Sequence, residues 1–251
     1  MDILIDIETV PAGAEVGMDL YTAPGWEPSP PRVERGRVPA NWRDPQKIAD
    51  REAEIEADYR AALAVDADRQ REEAWEEWTR GSLRWQDVRI GCVGIRYADG
   101  DSEVIDAMAL GEDGERRMLL DLLEAIPAHG RILTWGDYDA RILRSRMLAH
   151  RIRWGALGIS GKPWDRRVVD LQALLAEAVN GSPRDIRGVS VDAACDFLGL
   201  DRPGNPIKGS EVLECYITGR WDLVVRHCLA DVEDEWRVWE ALAECMGEVK
   251  P

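Results

Sequence analysis

Short runs of β-branched and apolar residues in the first half of the chain predict β-strands. Residues 3–5 form one such run, which is typical of a buried strand. Residues 88–97 and 102–108 predict two further strands, and segment 98–101 between them has the composition of a hairpin turn. Together these segments predict a three-stranded antiparallel sheet at the start of the fold.

Helical periodicity dominates most of the remaining sequence. Asp44 followed by Pro45 is a helix-start signal, and charged, helix-favouring sequence continues from there to about residue 80. Further helices are predicted over residues 115–126, 138–150, 171–179, 190–199, 210–218 and 221–246, with strands at 131–135 and 168–171. Antiparallel strands followed by helix–strand–helix units predict an α/β fold, in which a mixed sheet has helices on both faces.

Length and composition predict a single domain. The chain has 251 residues and 45% hydrophobic content, so we expect one domain over residues 1–251 with a loop and helical insertion at about 12–82. No segment has the apolar length of a membrane span, and no signal peptide is expected. The five cysteines lack C-x-x-C spacing and are expected to be buried, reduced thiols. These features predict a cytoplasmic protein without a membrane partner.

The net charge narrows the possible partners. A formal charge of −16 argues against a general nucleic-acid coat protein, which would be basic. It does not exclude an enzyme that grips a few nucleotides locally, because the cations are clustered. One cluster is Arg32, Arg35, Arg37, Arg43 and Lys47, and the other is Arg141, Arg144, Arg146, Arg151 and Arg153.

The first candidate chemistry lies in the first strand. Asp6 and Glu8 are two residues apart, so strand alternation places them on the same face. Two ionised carboxylates about 5 Å apart repel each other by about 3 kcal/mol at an effective dielectric constant near 20. A hard divalent cation such as Mg²⁺ or Mn²⁺, bound through oxygen ligands, removes this repulsion. An isolated D-x-E is equally compatible with two solvated acids at a strand end.

Two further regions carry candidate residues. His227 and Asp231 lie at i and i+4 on one face of the helix at 221–246, at the edge of an apolar stripe. Asp137 and Asp139 follow the strand at 131–135, near the edge of the sheet where sites in α/β folds gather. The alternatives are an exposed His–Asp helical pair and a helix N-cap, which Asp137 fits better than Asp139.

Taken together, these motifs resemble the DEDD pattern of the RNase H-like 3′–5′ exonuclease superfamily. The closest group is the predicted exonucleases related to the proofreading domain of family-B DNA polymerases, many from bacteria and phages. The resemblance covers most of the chain. The matching stretches are residues 6–11, 38–48, 169–171, 198–200, 208–212, 219–220 and 227–232.

The resemblance implies a fold, an activity and a set of site residues. It implies an RNase H-like mixed sheet, with three antiparallel strands followed by parallel ones. It also implies that the protein occurs in a bacterial or phage-infected cell. It also implies two Mg²⁺ or Mn²⁺ ions and release of nucleoside 5′-monophosphates from 3′ ends, chiefly of single-stranded DNA. The implied metal-binding acids are Asp6, Glu8, Asp139 and Asp231, with His227 as the residue that orients or deprotonates the attacking water.

Two motifs depart from the family pattern. The second motif of relatives reads like N-G-x-x-F-D. Residues 135–139 are one residue shorter and lack the asparagine. Asp137 is therefore an alternative to Asp139 as the metal-binding acid of this motif. The third motif usually has tyrosine four residues before the aspartate, where this chain has His227.

Two other functions therefore stay open. One is a 3′–5′ exoribonuclease that uses the same chemistry, and the other is an inactive RNase H-like module that binds nucleic acid. A fold that brings the four carboxylates together would favour an enzyme over the inactive module. Candidate residues for stacking unpaired bases are Trp26, Trp42, Trp135 and Trp154.

Overall fold

The computed structural model describes residues 2–80, 84, 86–111, 113–127, 129–153, 167–180, 189–202 and 204–247. The chain divides into two compact units. One unit comprises residues 19–80, and the other comprises residues 1–18 together with residues 81–251.

The larger unit contains a five-stranded mixed sheet. Its strands are β1 (Ile3–Pro11), β2 (Val88–Tyr97), β3 (Ser102–Asp106), β4 (Ile132–Thr134) and β5 (Val168–Asp170). They lie in the order β3-β2-β1-β4-β5. β1 pairs with β2, and β2 with β3, in antiparallel fashion, whereas β4 is parallel to both β1 and β5. The predicted antiparallel start and the predicted mixed sheet are both confirmed.

The described helices follow the predicted periodicity closely. They are α1 (Pro45–Thr79), α2 (Gly114–Ala125), α3 (Tyr138–Ala149), α4 (Leu171–Asn180), α5 (Val191–Leu198), α6 (Val212–Ile217) and α7 (Trp221–Met246). The carboxylate of Asp44 accepts hydrogen bonds from the backbone N–H groups of Gln46 and Lys47, which confirms the predicted start of α1. The helix predicted at 210–218 begins instead with a 3₁₀ turn at Gly209–Glu211.

Helices cover both faces of the sheet, as predicted. Ile3, Ile5 and Ile7 of β1 pack in one core cluster together with the apolar side chains of α2 and α3. Leu4, between them in sequence, packs in a second cluster with Trp236 of α7. Because side chains alternate along a strand, Asp6 and Glu8 lie on the same face as Leu4, which is the face that α7 covers.

Helix α7 approaches the sheet very closely at a glycine of β2. A Cβ atom at Gly94 would lie 2.8 Å from Cγ1 of Val232, 3.0 Å from Sγ of Cys228 and 3.1 Å from the Cys228 carbonyl oxygen. Gly94 is the antiparallel partner of Asp6. The absence of a side chain at this position lets the backbone of α7 lie against the strands that carry Asp6 and Glu8.

The smaller unit, residues 19–80, is organised around α1. Two buried polar residues of this helix bind the backbone of the preceding loop. The N–H of Ser29 donates to Oε1 of Gln70 at 2.9 Å, and the N–H of Arg32 donates to Oδ2 of Asp66 at 3.0 Å. These hydrogen bonds satisfy backbone groups of the loop and explain why α1 buries polar side chains.

The prediction for the cysteines is only partly confirmed. All five cysteines are free, but Cys245 is exposed, so the prediction that all five are buried is wrong. Cys245 lies in the last turn of α7, where residues 244–247 are exposed and no element of the described part of the chain covers the helix. Among the described residues, no helix is both long enough and apolar enough to cross a bilayer.

We expect the substitution Gly94→Ala to destabilise the protein by about 1–3 kcal/mol, because the added methyl group overlaps atoms of α7 that belong partly to its backbone. The midpoint of urea unfolding followed by circular dichroism measures the effect. Gly36→Ala is the matched control, since its Cβ would meet only Ile55 at an ordinary 3.6 Å. An unchanged midpoint for Gly94→Ala would contradict the close approach of α7.

Candidate metal centre

Strand β1 and helix α7 bring the predicted site residues together. The pairing of β1 with β2 has a register shift between Glu8 and Thr9. A bulge of this kind changes the direction of neighbouring side chains and is frequent beside active sites. His227 and Asp231 are one turn apart on α7 and face the same strand. His227 is only 5% exposed, so the alternative of an exposed His–Asp pair is excluded by its burial.

Glu8, His227 and Asp231 form a compact group of metal-binding atoms. One ligand atom from each residue lies within 4.8 Å of the other two. Nε2 of His227 lies 3.3 Å from Oε1 of Glu8 and 3.4 Å from Oδ2 of Asp231. Asp6 and Asp139 are outside this group and interact with it through their charges.

Asn205 fixes the orientation of the histidine. Nδ1 of His227 lies 2.6 Å from Oδ1 of Asn205, and Nδ2 of Asn205 donates to Oδ1 of Asp231 at 2.7 Å. Because the amide oxygen can only accept, Nδ1 carries the proton and Nε2 of the neutral ring presents its lone pair to the two carboxylates. Sequence reasoning missed Asn205, which lies in a loop that no motif marks.

The second-motif aspartates have different environments. Asp139, in the first turn of α3, is 5% exposed, whereas Asp137 is exposed and makes no capping hydrogen bond with its side chain. Burial raises the pKa of Asp139 well above its usual value, and the negative charges of Asp6, Asp170, Asp137 and Asp231 raise it further. This placement favours Asp139 over Asp137 as the member of the acidic cluster.

The remaining predicted acids are perturbed in the same direction. Burial raises the pKa of Asp6 to about 6 and that of Asp231 to about 8, where the charge of Asp6 adds to the effect. Burial also raises the pKa of Glu8 well above its usual range, as do the charges of Asp6 and Asp231. The four predicted acids therefore form one electrostatically coupled cluster.

Glu235 is an acidic residue of this cluster that sequence reasoning missed. It is 2% exposed, and burial together with the charges of Asp6, Asp139, Asp231 and Glu8 raises its pKa well above the usual value. Its position, one helical turn after Asp231, is the sequence signal that identifies it in retrospect.

The donor set fits hard divalent cations. Carboxylate oxygens are the ligands that Mg²⁺ and Mn²⁺ prefer, so the acids of the cluster fit these cations without the imidazole. Oδ2 of Asp6 is buried without a hydrogen-bond partner, and no arginine or lysine among the described residues forms an ion pair with the clustered acids. Bound cations would supply the positive charge that the surrounding side chains do not provide.

A cleft opens beside His227 and Asp231. Its volume is about 880 Å³, which is within the range of small-molecule sites. Asn205, Lys208 and Arg202 contribute polar and cationic groups to its lining. The cleft gives a ligand access to His227 and Asp231.

The tryptophans proposed for stacking have different positions. The indole N–H of Trp135 donates to the carbonyl of Val189 at 3.0 Å, and its ring packs with apolar core side chains. Trp135 therefore serves as a packing residue. Trp26 and Trp42 belong to the smaller unit, and Trp154 lies outside the described residues.

Comparison with known proteins adds one distant relative. No protein-family model matches the chain. An uncharacterized protein of Methanocaldococcus jannaschii is 26% identical over 168 residues, which is 62% of this chain and 87% of that protein. Because that relative is itself uncharacterized, the functional argument rests on the geometry and charge of the site.

The raised pKa values predict an inverse dependence of stability on pH. A carboxyl group whose folded-state pKa is raised contributes stability below its unfolded pKa and loses it as pH rises through the folded pKa. Without divalent cations, the melting temperature should therefore fall between pH 6.5 and 8, a range that extends to the pKa of Asp231 at about 8. The lowered pKa of His227 has the opposite effect, but only below pH 6.5.

Thermal melts in chelator across this pH range measure the slope. Asp231→Asn should flatten it, whereas Asp222→Asn, which removes an exposed carboxylate from the first turn of the same helix, should leave it unchanged. Addition of Mg²⁺ should raise the melting temperature most at pH 8. A melting temperature that rises steadily from pH 6.5 to 8 in chelator would contradict the assignment of an uncompensated cluster.

Proposed function

We propose that this chain is a metal-dependent 3′–5′ exonuclease that releases nucleoside 5′-monophosphates from single-stranded DNA. The observation that carries the proposal is the convergence of Asp6, Glu8, Asp139 and Asp231 in one electrostatically coupled cluster, in which Asp139 is buried and Asp231 is partly exposed. These four acids come from β1, α3 and α7 and influence one another's ionisation. They are the acids that the resemblance to DEDD exonucleases implies.

The sheet provides a second line of support. Three antiparallel strands are followed by two parallel ones in the order β3-β2-β1-β4-β5, and this order agrees with the RNase H-like architecture that the resemblance implies. The acids lie on the face that α7 covers. An inactive binding module is disfavoured, because the altered second motif still delivers the buried carboxylate Asp139 to the cluster.

The acids, His227 and Asn205 would have different roles in hydrolysis. Asp6, Glu8, Asp139 and Asp231 would hold two divalent cations, and such ions would supply a more acidic water and charge stabilisation at the leaving 3′ oxygen. His227 presents an unprotonated Nε2 that can accept a proton from that water, since burial lowers its pKa below 6.5 and keeps it neutral near pH 7. Asn205 holds the ring in this tautomer.

The cleft beside His227 would receive the 3′ end. Lys208 and Arg202 are cationic residues of its lining, but Arg202 pairs with Asp192 and Asp196 and six acids also line the cleft, so bound cations would supply most of the positive charge for a phosphodiester. DNA is proposed as the substrate because the resemblance is closest to a DNA proofreading domain. RNA is the alternative substrate, and discrimination between the two depends on contacts to the 2′ position.

A nuclease assay tests this function directly. With 5′-labelled single-stranded DNA and Mg²⁺ or Mn²⁺, we expect a ladder that shortens from the 3′ end, and excess chelator should abolish it. Asp139→Asn should be inactive because it removes a buried ligand, whereas the matched variant Asp137→Asn should keep a rate within a few-fold of wild type. A parallel reaction with RNA separates the two substrates. Undiminished cleavage in chelator, or the reverse ranking of the two variants, would contradict the proposal.

His227→Ala should lower the rate roughly 10²–10⁴-fold, the range expected for loss of a general base. Tyrosine at this position should restore part of the activity, because relatives carry tyrosine there. His150→Ala is the matched control, since His150 pairs with Glu115 away from the cluster and its loss should change the rate only slightly. Single-turnover rates measure the effect, and a rate for His227→Ala within a few-fold of wild type would assign His227 a purely structural role.

A further inference from the structure

Glu235 lies one helical turn after Asp231 on α7, and one of its carboxylate oxygens has no partner. Glu235 is 2% exposed, and its Oε2 is fully covered without a hydrogen-bond partner. The charge of Asp6 acts on it more strongly than those of Asp139, Asp231 and Glu8. Glu235 is therefore electrostatically coupled to all four acids, and most strongly to Asp6.

One largely buried carboxylate outside the cluster, Glu115, is fully partnered. Glu115, in the first turn of α2, accepts hydrogen bonds from the side chains of Arg146 and His150 and from the backbone N–H of Ile90. These partners lower the pKa of Glu115 despite its burial. Cations and N–H donors thus compensate Glu115, whereas Oε2 of Glu235 has no such partner.

The free oxygens are confined to the cluster. Among the described residues, the carboxylate oxygens that are buried without a partner are Oδ2 of Asp6 and Oε2 of Glu235. An unpartnered buried carboxylate is unfavourable, because desolvation of the charge is not repaid by a hydrogen bond. The two oxygens belong to acids whose charges act on each other. One cation bound by both oxygens is the simplest way to compensate their negative charge.

We propose that Glu235 is a fifth acidic ligand of the centre and that it binds, together with Asp6, one of the divalent cations. This inference rests on the proposed function, since it requires the cluster to bind divalent cations. It goes beyond the four-acid pattern, which has no ligand one turn after the final aspartate. The centre would then have five carboxylates, three of them from β1 and α3 and two from α7.

Binding of Mn²⁺ alone to the full-length chain tests the assignment without any nuclease activity. Free Mn²⁺ is counted by electron paramagnetic resonance during titration of the wild type, Glu235→Gln, Asp6→Asn and Glu244→Gln. Glutamine has nearly the same shape as glutamate but lacks the charge. Glu244→Gln makes the same change at an exposed position of α7 and is the matched control.

We expect Glu235→Gln to weaken at least one Mn²⁺ site by about tenfold or more, since even partners outside the ligand shell contribute that much to affinity. Asp6→Asn should weaken binding as well, and Glu244→Gln should bind like the wild type. If Glu235→Gln does not fold, Glu235→Asp replaces it, because a shorter arm keeps the charge but displaces the ligand oxygen, and the same weakening is expected.

The outcomes separate the inference from the proposed function. Unchanged Mn²⁺ affinity in the Glu235 variant, with weakened affinity in Asp6→Asn, would overturn the role of Glu235 and leave the four-acid centre intact. A wild-type chain that binds no Mn²⁺ at millimolar concentration would overturn both.

Discussion

The close packing of α7 against the sheet is the constraint on which the candidate site depends. At Gly94 the helix lies so near to β2 that even a methyl group would overlap Val232 and Cys228. This approach buries the strand face that carries Asp6 and Glu8, and it inserts His227 and Asp231 from the opposite side. Without a side chain at position 94 the helix can reach the carboxylates of β1, so one small residue in a strand determines the geometry of the site.

Burial at this contact has an electrostatic consequence. Carboxyl groups that are withdrawn from water and placed beside one another ionise with difficulty, and the pKa values of all four predicted acids are raised. Ionisation of these acids at neutral pH therefore lowers the stability of the folded chain. Divalent cations bound among the acids would reverse this loss. Two acids outside the cluster do not share this condition, because Asp2 pairs with Arg131 and Glu115 with Arg146.

The sequence predicted the elements well because their signals are local. The bounds of β2 and α7 agree with their apolar periodicity, and Asp6 and Glu8 share a face because alternation is a property of any strand. Asn205 and Glu235 could not be identified in this way. Asn205 acts through contacts made across the fold, and the burial of Glu235 results from packing against strands far away in sequence. The exposure of Cys245 likewise depends on where the covering elements end.

The central claim is that the buried acids are compensated by divalent cations bound among them. Crystals soaked in Mn²⁺, with anomalous differences recorded near the manganese absorption edge, test this claim most directly. The account predicts one or two strong anomalous peaks within bonding distance of Asp6, Glu8, Asp139 and Asp231. A map without peaks at the cluster, with the carboxylates paired to protein donors instead, would contradict it.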